Sequence, residues 1–170
     1  MPSDSVDRAI LCRISFISSA ADQVVPPVSE VLARLRTSPS WDEASICPAD
    51  DQFPRVHVGW HEGHGFVIQC FEDEWSPGYF LTRGAEMSAP AVEVNLGGQA
   101  LERWPRELFV PEPLAQQTLD GFLNSERQDP ALHWVRTDDF PKETVWEGRA
   151  GREARERAHP KTRPAENHCP

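Results

Sequence analysis

Two short stretches hold the residue types that could do chemistry. "HVGWHEGHG" (57–65) packs His57, His61, Glu62 and His64 into nine positions. Such a cluster invites comparison with zinc hydrolases. There, His-Glu-x-x-His on a helix sets both ligands on one face, and the glutamate serves as general base. "FEDEWSPG" (71–78) sets three acids, Glu72, Asp73 and Glu74, directly before Trp75. Carboxylates beside an aromatic suit a protein contact, because charge steers a basic partner and the ring anchors it.

The zinc reading fails on spacing. His61-Glu62 is followed by His64, and Gly65 stands where the second ligand belongs. Gly59, Gly63 and Gly65 also disfavour a helix. On a strand, His57 and His61 share a side, and a metal there would need a carboxylate or cysteine from elsewhere. A metal-dependent hydrolase centred on His57, His61 and His64 is kept as the alternative, and a solvated hairpin tip is the main reading. There is no G-x-S-x-G elbow, P-loop or G-x-G-x-x-G. "NLGG" (95–98) reads as a strand ending in a tight turn rather than a phosphate cradle. No catalytic residue, metal or cofactor is assigned.

The elements that must position these stretches follow from periodicity. "AILCRISFIS" (9–18) alternates, with Ile10, Cys12, Ile14 and Phe16 on one face. "PPVSEVLARLRTSP" (26–39) changes to helical period through Val28, Val31, Leu32 and Leu35, with prolines suited to a start and a stop. After a polar stretch, "FPRVHVGW" (53–60) and "GFVIQCFE" (65–72) read as strands joined by "HEGHG", a hairpin signal. "GYFLTR" (78–83) and "AVEVNL" (91–96) read as two more. "VPEPLAQQTLDGFLNSER" (110–127) is helical, with Ala115, Leu119, Phe122 and Leu123 on one face, and "ALHWVR" (131–136) is a last strand. Short links between consecutive strands imply antiparallel pairing. The expected fold is α+β: an antiparallel meander of about five or six strands with two main helices on one face.

The chain has 170 residues, enough for one domain with a core. The expected organisation is a single domain over 1–147 and a charged, partly disordered extension over 148–170. The formal charge is −10. The extension holds six basic residues against three acidic ones, a net of +3, which leaves −13 on the body. A body this acidic repels phosphate backbones and attracts basic partners, so direct nucleic-acid binding is not expected. No basic segment followed by an apolar run opens the chain, and no apolar stretch approaches 18 residues. Cytoplasmic residence, no membrane contact, and reduced, scattered cysteines at Cys12, Cys47, Cys70 and Cys169 are the expectation.

The order of features, from about Asp22 to Arg136, resembles the type-one family of bacterial polymorphic-toxin immunity proteins. The resemblance rests on "VSEVLARLR" followed by "SPSWDEASI", the strand opening "FPRVHV", and then "FVIQCF", "SPGYFLTRG" and "NLGG". A helix leading into "DPALHW" completes it. It implies a small α+β protein that is not an enzyme. Such a protein binds a cognate toxin domain, a deaminase or nuclease with a basic cleft, and occludes its active site. The family's motifs, at Phe53-Pro54, Gly97-Gly98 and Trp134, are structural and designate no contacts. From charge and aromaticity, the expected partner-binding residues are Glu72, Asp73, Glu74 and Trp75, with Tyr79 and the tip residues His61 and Glu62. A generic interaction domain with no toxin partner would share this surface.

Overall fold

The computed structural model describes residues 12–17, 19–22, 26–39, 42–48, 53–75, 77–95 and 101–141. The expected strand start at 9–11, the Gly97-Gly98 turn and the 148–170 extension lie outside them.

The sheet is built from β1 (Cys12–Phe16), β2 (Ser19–Asp22), β3 (Glu43–Pro48), β4 (Arg55–His61), β5 (Gly65–Phe71), β6 (Tyr79–Thr82) and β9 (His133–Arg136). Its order is β2-β1-β3-β4-β5-β6-β9, with every neighbouring pair antiparallel. The meander runs from β3 to β6. The sheet thus has seven strands, more than periodicity alone showed, because β2 and β3 were not legible as strands.

Helix α1 (Val28–Thr37) buries Val28, Val31, Leu32 and Leu35, the stripe its spacing predicts. Helix α2 (Glu112–Ser125) buries Ala115, Thr118, Leu119 and Phe122 and ends on Glu126 in the left-handed region. Both lie on one face of the sheet. They cover Ile14, Phe16, Ala44, Ile46, Val56, Val58, Phe66, Ile68, Cys70 and Leu81. The α+β arrangement with helices packed on one face is therefore the observed one.

The opposite face has a second, smaller core. "AVEVNL" does not join the meander. Its strand, β7 (Val92–Asn95), pairs with β8 (Leu101–Trp104) in a separate two-stranded ribbon. Val92, Val94 and Trp104 of that ribbon bury with Val67, Phe80, Leu108 and Phe109. Residues Leu101–Trp104 form a strand through the pairing of Trp104 with Val92.

The chain crosses from the second core to the first in one step. Phe109 belongs to the second core and Val110 to the first. Val110 exchanges two backbone hydrogen bonds with Phe66, at 2.8 and 2.9 Å. Gly65, just before it, has φ +133°, and an added Cβ would sit 2.6 Å from the Val110 carbonyl oxygen. Glycine is required there twice over, by dihedral and by close approach.

Candidate functional site

The alternation of β4 decides where its histidines point. Val56 and Val58 enter the first core, so His57, Gly59 and His61 face the other way. His57 Nδ1 makes a short hydrogen bond with Glu43 Oε1 on β3, and its ring meets Phe71 edge-on at 5.2 Å. His61, one strand turn further, packs edge-on against Trp104 at 5.8 Å and Phe109 at 5.5 Å. His64 lies 5.4 Å from the same Phe109 ring. His57 thus has its own partners, while His61 and His64 share the Phe109 ring. His57 and His61 are four residues apart on one strand, roughly 13 Å by strand rise. Among the described residues no group of three or more His, Cys, Asp or Glu could hold a metal ion.

The solvated-tip reading needs correction at His61. Burial holds its pKa down from 6.5 to about 4; the nearby His64 lowers it further, and Glu43 pulls it upward. The tip beyond it, Glu62, Gly63 and His64, is exposed. Arg83 closes this end from beneath, donating to the carbonyl oxygens of Phe109 and, at 3.3 Å, His64. The signal for this packing was Trp104 and Phe109, which are distant in sequence. Cys70 faces the first core, where burial pushes its thiol up to about 11 against the opposing effect of the Gln128 side chain. The histidines of β4 are on the other side of the sheet, so no Cys70–His pair forms. Cys47 and Cys70 are both buried, as expected.

The acidic stretch lies at the opposite end of the sheet, after β5. Glu72, Asp73, Glu74 and Trp75 are all exposed, and Trp75 reaches 88%. The Asp73 carboxylate accepts the Trp75 backbone N–H at 2.8 Å, a local turn that fixes the loop. Tyr79, half-buried on β6, pairs with Arg136 of β9. That pairing brings in two acids the sequence did not single out. The 3-10 turn Thr137–Asp139 follows β9 directly, with the Thr137 N–H bonded to the Gly78 carbonyl at 3.1 Å. Asp138 and Asp139 therefore join Glu72, Asp73 and Glu74 at one end, and Arg136 reaches Asp138 at 3.5 Å. The seven expected contact residues divide: five sit here, and His61 and Glu62 sit about 20 Å away, one strand length along β5.

Trp134 is held in the fold. Its indole N–H donates to the Asp129 carbonyl at 3.1 Å, and its ring packs on the first core. No described helix is long and apolar enough to cross a membrane. Comparison with protein families, with curated proteins and with solved structures returns no match.

Proposed function

We propose that this protein is an immunity protein. It binds the catalytic domain of a cognate bacterial toxin, a deaminase or nuclease, in the cytoplasm of the producing cell and occludes the active site. The observation that carries the reading is Trp75, 88% exposed and flanked by Glu72, Asp73 and Glu74. Leaving a tryptophan in water forgoes most of its burial energy, and interfaces favour such a ring as an anchor. The three carboxylates directly before it, with Asp138 and Asp139 at the same end of the sheet, suit a basic cleft of the kind that holds nucleic acid. The order of elements from Asp22 to Arg136 adds the family resemblance.

The test is to identify the product of the neighbouring gene and, where it carries a toxin domain, to co-express the two. The expected result is an equimolar complex and loss of toxicity. Reversing Glu72, Asp73 and Glu74 to lysine should slow association by roughly tenfold and flatten its salt dependence. Undiminished toxicity in the presence of folded protein would overturn the reading.

A further inference from the structure

Gly59 is a glycine the fold does not require. It lies inside β4, with β3 and β5 bonded on either side, where glycine weakens a strand. Gly65 and Gly78 have steric reasons: added Cβ atoms would meet the Val110 oxygen at 2.6 Å and the Gln69 Nε2 at 2.5 Å. Gly59 has neither a positive φ nor any atom within 4 Å of an added Cβ. A glycine inside a strand often marks a bulge, a bend or the close approach of a ligand or another backbone, and the regular pairing of Gly59 on both sides leaves no bulge there. The glycine alone is not enough, since Gly121 in α2 also has open space above it. What distinguishes Gly59 is its frame.

Glu43 is its direct cross-strand partner on β3, and Val67 is its partner on β5. His57 and His61 precede and follow it on the same face of the sheet. Glu43 binds His57 on one side and acts electrostatically on His61 on the other. The carboxylate therefore spans the vacated position between two imidazole rings. Its side chain remains 37% accessible, and that of His57 28%. When His57 Nδ1 gives its proton to this bond, Nε2 presents a lone pair, and the carboxylate keeps a second oxygen for a donor. Two arginines flank the frame and are engaged elsewhere: Arg55, two residues before His57, lies over the Phe53 ring, and Arg83 donates to the Phe109 and His64 carbonyl oxygens. At Gly59 itself the charged neighbour is the Glu43 carboxylate.

We propose that the Gly59 slot receives an arginine side chain of the protein's basic partner, its guanidinium lying between His57 and His61 and donating to Glu43. A planar guanidinium with five donors suits a carboxylate flanked by imidazole rings better than a compact, strongly hydrated ammonium. The proposal deepens the inhibitor reading and rests on it only for the source of the arginine.

Titration with acetyl-arginine amide, followed by NMR at the His57 and His61 ring protons, tests the slot without any toxin. Acetyl-citrulline amide is the uncharged isostere. The expected result is a saturable shift with the arginine compound alone, weakened at least tenfold by Gly59→Val and by Glu43→Gln. Gly59→Val should melt at or above the wild-type temperature, because valine suits a strand and space is open. Equal shifts with citrulline, no saturable shift, an unaltered titration in Gly59→Val, or a sharp fall in its melting temperature would each overturn the proposal. A toxin that goes unneutralised while the arginine titration succeeds would sink the inhibitor reading and spare the slot. Full neutralisation by Gly59→Val, with a failed titration, would do the reverse.

Discussion

The two ends of the sheet use reactive side chains in opposite ways. At the end near Gly65, His61 and His64 look like ligands by type, yet they fill out an aromatic cluster with Phe109 and Trp104. At the other end, Trp75 looks like a core residue by type, yet it stands in solvent among carboxylates. One end puts ionisable groups to work as packing, and the other holds a packing group in reserve. Residue type alone therefore misleads at both ends. What decides is the partner across the sheet, and the partner comes from a distant part of the chain.

The largest effect should come from breaking the packed end. Phe109 is fully buried and touches His61, His64 and Trp104. Phe109→Ala should cost about 3–5 kcal/mol in denaturant unfolding, the range for deleting a buried aromatic. Gly65→Ala, at the same end, should cost roughly 2–3 kcal/mol from its dihedral and the approach of the Val110 carbonyl. A loss under about 0.5 kcal/mol in either would mean this end is looser than described.

The next effect is on pH. His61 in the folded protein takes up its proton only near pH 4, whereas in the unfolded chain it does so near 6.5. Between these values the unfolded state holds more protons, so stability falls as pH drops from 6.5 to 4 and gains no further dependence below. The span should be on the order of 3 kcal/mol, and His61→Phe should remove this component from the unfolding profile. A profile that keeps its slope in His61→Phe would refute the assignment.

The exposed end should respond in binding rather than folding. Trp75→Ala should leave unfolding within about 0.5 kcal/mol of wild type. The same change should weaken the proposed toxin complex by about 2 kcal/mol, roughly 30-fold, in calorimetric titration. If stability fell and affinity did not, the contrast between the two ends would collapse.

The legible parts of the fold were those in which local period and burial agree. Val28, Val31, Leu32 and Leu35 mark α1 without help, and the β4–β5 hairpin follows from two apolar runs around "HEGHG". Strand β3 was hidden because Ala44 and Ile46 are its inward residues, while Glu43, Ser45 and the closing Pro48 read as polar loop. The ribbon β7–β8 was hidden because its apolar face is completed by Phe80 and Phe109, which no local window contains. At the exposed end, Glu72 to Trp75 were legible by composition. Asp138 and Asp139 were not, because only the pairing of Tyr79 with Arg136 carries them there. Gly59 read only as a residue that disfavours a helix until the register set Glu43 across from it.

The crossing from Phe109 to Val110 has a kinetic consequence. Adjacent peptide units sit in separate cores, and so do Phe66 and Val67 on the strand they bridge. Neither core can loosen without pulling on the reciprocal amides of Phe66 and Val110. Those two amide protons should therefore exchange with solvent only through global opening, at matching rates. A chain with a core on each side of its sheet should accordingly melt in one cooperative step rather than two.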